Sequence, residues 1–163
     1  MKKLIIFAAM AFLCQTMVFG QKEKSMKESE VPAQYVKDFQ NQVKDAKNAS
    51  WTMALDSSAY MVTYTDNEGT RTAMRFFTKQ KGVETRYYID EQYYPHAIKD
   101  SVKHLYPQHK ISCIYARNLR NKMTYQARIV KMKGFLFWRK EREAKVLSFE
   151  TNDCKMIEVI DEE

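Results

Sequence analysis

The sequence predicts an α+β fold in which a unit of one helix and an antiparallel β-meander occurs twice, with the helices packed on one face of the sheet. Two observations support this prediction. In each half of the chain a helix-type stripe of apolar residues follows a proline, and segments of β-type sequence separated by turn residues follow that stripe. Such an order is typical of an antiparallel sheet with helices on one side.

The two predicted helices begin at Val31-Pro32 and Tyr94-Pro95, which are 63 residues apart. Proline is tolerated in the first turn of a helix. Apolar residues then recur at helical spacing, as Tyr35, Phe39 and Val43 in the first helix and Ile98, Val102, Leu105 and Tyr106 in the second. The coincidence favours a duplication, with repeats at about 31–90 and 94–160, over a chance succession of helix and strands.

β-branched and aromatic residues dominate the sequence after each helix, and turn residues interrupt them. These segments predict strands, and Trp51 falls on Ile114 at the same spacing of 63. The predicted strands are Trp51–Leu55, Tyr60–Tyr64, Thr72–Phe76 and Val83–Tyr87 in the first half, and Ile111–Ala116, Tyr125–Val130, Ala144–Phe149 and Met156–Ile160 in the second.

The first twenty residues are typical of a secretory signal peptide. Lys2-Lys3 precedes the short apolar stretch Leu4–Leu13, and cleavage is expected near Gly20. We therefore expect an exported protein, periplasmic or extracellular. A lipoprotein acylated at Cys14 is the alternative, but the preceding residues fit a lipobox badly. Residues 21–30 are polar and predict a disordered leader, and residues 31–163 predict a single domain.

Charge is unevenly distributed along a chain whose net charge is +7. Residues 110–145 contain eleven basic and two acidic residues, whereas residues 146–163 contain one basic and six acidic residues. The basic segment predicts a surface that could bind anions. Cys113 and Cys154 could form a disulfide in an oxidising compartment, but the predicted meander places them at opposite ends of the sheet, which disfavours it.

The second predicted hairpin is longer than the first. Pairing Tyr60 with Phe76 places Tyr64 opposite Thr72, with seven residues between them. Pairing Tyr125 with Phe149 places Ile129 opposite Lys145, with fifteen residues between them. Continuing this pairing matches Lys131 with Glu143 and Lys133 with Glu141, which are favourable charge pairs. The eight extra residues predict a hairpin that extends beyond the sheet.

The end of this hairpin is unusually apolar, within the run "KGFLFWRKER" of residues 133–142. An exposed cluster of aromatic residues bordered by cations is typical of a surface that contacts a partner. The alternative is that the aromatic residues fold back over one end of the core. The candidate partner-binding residues are Phe135, Leu136, Phe137, Trp138, Arg139 and Lys140.

If the helices cover one face of the predicted sheet, side chains of the strands must line the other face. About half of the tyrosines in the strands could lie there with Arg75, Arg86 and Arg128, forming an aromatic and basic surface. Ordinary packing between strands is the alternative for each single tyrosine. The tyrosines considered are Tyr60, Tyr64, Tyr87, Tyr88, Tyr93, Tyr94, Tyr115 and Tyr125.

Motifs of catalysis and metal binding are missing from the sequence. It contains no Gly-x-Ser-x-Gly, no phosphate-binding loop and no His-Glu-x-x-His. His96, His104 and His109 form no i, i+4 pair and predict surface or helix-end positions. We therefore predict no enzyme, no cofactor and no metal, although a deep pocket with converging acids or histidines would favour an enzyme.

The motifs resemble PepSY-like proteins with a β-lactamase-inhibitor-like fold, which Gram-negative bacteria secrete. The similar pieces are "VPAQYVKDFQ", "ASWTM", "YMVTYTDNEGTRTAMRF", "YPHAIKDSVKHLYPQHKI", "TYQARI" and "VLSFETNDCKMIEV", which together span about 31–160. The resemblance implies a non-catalytic module that binds or inhibits another protein, such as a peptidase or another secreted enzyme. It transfers no functional residues.

Two functions therefore remain open from the sequence. The first is binding of another protein outside the cytoplasm. The second is binding of an anionic surface, such as membrane headgroups or an acidic polysaccharide, through the basic segment 110–145. Nucleic acid is not expected as a partner in that compartment.

Overall fold

A single antiparallel sheet organises the chain in a computed structural model, which describes residues 23–79, 82–133 and 140–162. Nine strands follow one another in the sheet in chain order, so each strand pairs with the next. The strands are β1 (Glu23–Met26), β2 (Lys47–Ala54), β3 (Ala59–Thr65), β4 (Arg71–Phe77), β5 (Val83–Ile89), β6 (Lys110–Leu119), β7 (Lys122–Lys133), β8 (Lys140–Glu150) and β9 (Met156–Glu162).

Two helices of ten residues each interrupt the strands, α1 (Ala33–Gln42) and α2 (His96–Leu105). Pro32 and Pro95 directly precede them, where a missing N–H removes no helical hydrogen bond. Each helix is closed by a backbone bond of 2.8 Å, from Val43 N to the Phe39 oxygen and from Tyr106 N to the Val102 oxygen. Across the described residues, no helix is long and apolar enough to span a membrane.

The predicted α+β class is wrong, because the protein is mainly β. Strands account for 55% of the described residues and helices for 20%. Each α-helix has fewer than three turns, so it can bury only a narrow stripe of side chains. The pairing of β5 with β6 joins the two halves into one continuous sheet.

Both helices contact the same face of the sheet, through two separate hydrophobic clusters. The buried members of the first cluster are Val31, Phe39, Trp51, Val62, Tyr64, Met74 and Phe76. The buried members of the second are Ile98, Val102, Ile114, Ala127, Ile129, Leu147 and Phe149. Side chains alternate along a strand, so every second residue lies on the opposite face, which we call the helix-free face.

The pairing predicted for the two hairpins is confirmed for most residues. Tyr60 pairs with Phe76 in the first hairpin, and Tyr125 pairs with Phe149 in the second. The first hairpin closes at Asp66–Gly69, where Gly69 has a φ of 85° that favours glycine. Cys113 and Cys154 are free thiols, as the predicted meander indicated.

The pairing predicted between Lys133 and Glu141 is wrong. Lys131 pairs with Glu143 as expected, but the register then shifts, and Met132 lies opposite Glu141. Arg142 is therefore an extra residue on β8, that is, a β-bulge. The physical reason lies on the helix-free face, where the shift brings Glu141 to Arg128.

The disordered leader predicted at residues 21–30 is wrong for the part that the structure describes. Glu23–Met26 form β1, paired with β2, and Glu28–Glu30 form a short 3₁₀ turn. Met26 packs against the first cluster, and the Thr52 hydroxyl donates to the Glu23 carboxylate at 2.8 Å. These contacts order a polar segment that has little strand propensity of its own.

Candidate functional site

The predicted partner-binding residues lie mostly outside the described residues. Phe135, Leu136, Phe137, Trp138 and Arg139 belong to the stretch 134–139, and Lys140 is the first residue of β8, opposite Lys133. The structure therefore describes the two strands that lead to the apolar tip, but not the tip itself. Whether those aromatic residues are exposed stays a prediction.

The two strands that lead to the tip continue beyond their neighbours. β6 begins at Lys110, opposite Val130, and β9 ends at Glu162, opposite Ala144. Within the described residues, the three further pairs of β7 and β8 have no strand on either side. We call residues 131–133 and 140–143, which contain these pairs, the ribbon. It extends the second hairpin past the sheet, as the eight extra residues predicted.

The bulge at Arg142 attaches the ribbon to the sheet. Glu141 lies on the helix-free face and binds Arg128, with 2.8 Å between Nη2 and Oε2. If Arg142 were paired regularly with Met132, alternation along β8 would place Glu141 opposite Lys133, on the other face of the sheet. The bulge thus explains why Glu141 binds Arg128 instead of facing Lys133.

Arg128 is the centre of this contact, and its residue is only 4% exposed. Nε donates to Glu162 at 2.9 Å, and Nη1 donates to the Ser112 hydroxyl at 3.4 Å. Burial lowers the pKa of Arg128, but the carboxylates of Glu141 and Glu162 outweigh burial and raise it. One cation therefore joins β6, the ribbon and β9.

A second buried ion pair lies on the same face, around Glu84, which is 1% exposed. Its carboxylate accepts a hydrogen bond from Arg86 and one of 2.9 Å from Arg117 Nε. Burial alone would raise the pKa of Glu84, but the charges of Arg86 and Arg117 hold it below the ordinary value. Glu84 is therefore ionised at neutral pH.

Neutral hydrogen bonds lie between these two ion pairs. The Tyr115 hydroxyl donates to Gln126 Oε1 at 2.8 Å, and Gln126 Nε2 donates to the Ser148 hydroxyl at 3.1 Å. The Arg86 guanidinium also stacks 5.0 Å above the Tyr115 ring. We call Glu84, Arg86, Arg117, Tyr115, Gln126, Ser148, Arg128, Glu141 and Glu162 the polar network.

The prediction is correct for the three arginines of the helix-free face, but only two of the eight tyrosines considered lie there. Arg75, Arg86 and Arg128 lie there with Tyr88 and Tyr115, by the register of the strands. The surface is less open than expected, since Arg86 is 8% exposed and Arg128 4%. The carboxylates that bind these arginines were not predicted from the sequence. Glu84 and Arg86 are two residues apart in "VETRYYI", and this spacing in a strand indicates that they share one face.

The unequal distribution of charge along the chain is reduced in the folded structure. Lys145 binds Glu143 at 3.0 Å and also binds Asp161 of β9, and Arg128 binds Glu162 of the same strand. The acidic C-terminal strand therefore neutralises part of the basic segment 110–145. Arg117 is likewise bound to Glu84.

The histidines, cysteines and carboxylates among the described residues do not form a metal-binding site. No three His, Cys, Asp or Glu residues in that part of the chain cluster in a way that could hold a metal ion. Burial raises the pKa of Cys113 to about 11, which keeps its thiol protonated and unreactive. His109 differs from its predicted surface position, because its side chain is only 8% exposed and lies 3.5 Å from Glu143.

Comparisons with known proteins do not assign the chain to a family. No protein-family model matches the chain, and no curated protein is significantly similar to it. The resemblance to PepSY-like proteins therefore stays a prediction.

Proposed function

We propose that the protein is a non-catalytic module that binds another protein outside the cytoplasm, with the end of the ribbon as its contact surface. The observation that supports this proposal is the ribbon, which extends three residue pairs beyond β6 and β9. None of the ribbon side chains that the structure describes belongs to either hydrophobic cluster. A segment that the cores do not require is available for recognition.

The way in which the ribbon is held also supports binding. A hairpin of two strands is at best marginally stable by itself in water. Here the buried Arg128 holds Glu141 of the ribbon and Glu162 of β9 together. A contact surface that is ordered before binding loses less conformational entropy when the complex forms. The anchoring therefore favours a specific partner.

A protein partner fits the charges better than an anionic surface does. Lysines and arginines bind headgroups or acidic polysaccharide well only when they are not already paired with carboxylates of the protein itself. Arg117, Arg128 and Lys145 belong to the basic segment but are already bound to carboxylates. The predicted tip residues, in contrast, include three aromatic side chains and an arginine, which are typical of binding hot spots.

The test uses the chain as bait in an extract of the cell envelope. We expect the wild type to recover one specific protein, and Phe137→Ala and Trp138→Ala each to weaken its binding by at least about tenfold, as hot-spot truncations do. Tyr93→Ala is the matched control, because Tyr93 is a 70% exposed aromatic residue outside the ribbon. The control should bind like the wild type.

Two outcomes would contradict the proposal. If the tip variants bind the same partner as tightly as the wild type, the ribbon is not the contact surface. If the chain recovers no protein but is retained on anionic vesicles with a steep dependence on salt, the anionic-surface alternative gains support.

A further inference from the structure

β9 forms one edge of the sheet. Residues Met156–Glu162 pair with β8, and within the described ranges no other strand pairs with β9. An edge strand presents a row of backbone N–H and C=O groups that another strand can extend. The other edge, β1, carries the exposed Lys24, and a lysine on an edge strand discourages pairing.

β9 has a β-bulge at Ile157, where its register with β8 shifts, and is regular from Glu158 onward. It has seven residues, "MIEVIDE", without lysine, arginine or proline. Ile157, Val159 and Ile160 are 45%, 40% and 46% exposed. A long edge strand with exposed aliphatic side chains is suited to pairing with another strand, and it would be an aggregation hazard if it stayed open.

The charge of β9 permits pairing with a second copy of the same strand. Asp161 is bound to Lys145, and Glu162 is bound to Arg128. Glu158 is then the remaining carboxylate of β9. Repulsion between two such strands depends mainly on where Glu158 lies relative to the carboxylates of the other copy.

We infer that β9 pairs antiparallel with β9 of a second copy, about a two-fold axis that passes between the Val159 residues of the two copies. The strand is regular from Glu158 onward, so this register pairs Glu158, Val159 and Ile160 of one copy with the same three residues of the other. It places Val159 opposite Val159 of the second copy and Glu158 opposite Ile160. Centring on Glu158 or on Ile160 would place carboxylates directly opposite each other, which is destabilising.

Pairing in this register makes one sheet continuous across the two copies. The axis is perpendicular to the sheet, so the helices of both copies lie on the same side. The contact is independent of the ribbon, and it does not rest on the proposed function. Loss of partner binding in the Trp138→Ala variant would leave the association of two copies unchanged.

Sedimentation velocity over a range of concentrations tests the inference. We expect the wild type to be a concentration-dependent dimer. Val159→Lys places two lysines opposite each other at the axis and should raise the dissociation constant at least about tenfold. Ile157→Lys changes the bulged residue, which lies outside the three regular pairs, so this variant should dimerise more tightly than Val159→Lys.

Leu55→Lys is the control for loss of exposed apolar surface, because Leu55 is 60% exposed and lies just after β2. It should dimerise like the wild type. Circular dichroism and thermal unfolding establish that each variant is folded. A wild type that stays monomeric at its highest soluble concentration would overturn the inference, and so would equal dimerisation of the Val159→Lys and Leu55→Lys variants.

Disulfide trapping gives a second measurement, which does not require the dissociation constant of the dimer. Residues directly opposite on antiparallel strands have Cβ atoms about 4.5–5.5 Å apart. Under mild oxidation Val159→Cys should therefore link two copies, with the 159–159 bridge identified by mass spectrometry. Ile160→Cys should not, because Ile160 lies opposite Glu158. Equal trapping of both variants would contradict the register.

Discussion

At the scale of single residues, Glu84 is the clearest case of a charge retained inside the protein. Its carboxylate is almost completely buried and is shared by Arg86 and Arg117. Transfer of such groups out of water is costly, so the three charges are stable there only together. The arrangement of these three side chains across β5 and β6 therefore depends on the ionised state of Glu84.

We expect Glu84→Gln to lower the free energy of unfolding by about 3–5 kcal/mol at neutral pH, because it leaves two arginines without their shared carboxylate. Urea unfolding measures the change. Glu158→Gln is the control, since Glu158 is exposed on the same face, and it should alter stability by less than about 0.5 kcal/mol. Equal stability of the wild type and Glu84→Gln would contradict this assignment.

The same two proteins should differ in their dependence on pH. The pKa of Glu84 is below its ordinary value of 4.5 in the folded state, so the unfolded chain binds the proton more readily. Glu84 therefore stabilises the fold above about pH 4.5, and this contribution is lost as the pH falls through the lowered pKa. The difference in stability between wild type and Glu84→Gln should shrink over that acidic range.

At the scale of elements, the two helices hold equivalent places over separate clusters. α1 supplies Phe39, which contacts the Trp51 and Tyr64 rings at centroid distances of 5.7 and 5.1 Å. α2 supplies Ile98 and Val102, which are 0% and 3% exposed. The two clusters share no residue. Each helix therefore stabilises its own half of the sheet.

We expect Phe39→Ala to cost about 3–5 kcal/mol and Ile98→Ala about 2–5 kcal/mol of unfolding free energy. Because the clusters are separate, the double variant should lose the sum of the two within about 0.5 kcal/mol. Chemical denaturation of the four proteins measures this. Tyr35→Ala with Phe39→Ala is the comparison within one cluster, and it should deviate more from additivity. Strong coupling between Phe39 and Ile98 would contradict separate clusters.

The hairpin registers could be predicted from the sequence because alternation leaves few choices. Shifting Tyr60 or Tyr125 by one residue would move every apolar side chain of the strand to the other face. The bulge at Arg142 could not be predicted, since it follows from the contact of Glu141 with Arg128, which are thirteen residues apart. β1 was missed because its order comes from pairing with β2 and not from its own polar sequence.

The class was wrong for a related reason. Helical stripes such as Tyr35 and Phe39 are conspicuous in a sequence, but they do not reveal how much of the sheet a helix covers. The partners of Arg86 and Arg128 were missed because strand alternation gives the face of a residue, and not the distance between side chains across neighbouring strands.

At the scale of the whole molecule, charge must be considered in space and not along the chain. The acidic β9 lies beside β8, so Asp161 reaches Lys145, which is sixteen residues earlier. A stretch that looks strongly basic in the sequence is therefore partly neutral in the fold. We expect the chain to bind heparin more weakly than its net charge of +7 implies.

Two variants with the same net charge distinguish the effect of where the charges lie from the effect of the net charge on retention by heparin. Asp161→Asn should strengthen retention on heparin by up to about fivefold, because it removes one of the two carboxylates that bind Lys145. Glu68→Gln removes one carboxylate from the exposed turn after β3 and should have a smaller effect. The salt concentration at elution is the measurement. Elution of both variants at one salt concentration would show that total charge governs retention.

The bulge at Arg142 marks the one position in the outer part of the second hairpin where a residue can be lost without a change of register. Glu141 lies opposite Met132 because Arg142 is an extra residue on β8. Deleting Arg142 would remove only this extra residue, so Glu141 would stay opposite Met132 and on the side of Arg128. The sheet from Glu143 onward would keep its pairing with β7 and β9. A deletion elsewhere in β8 would instead move the side chains before it to the other face of the sheet.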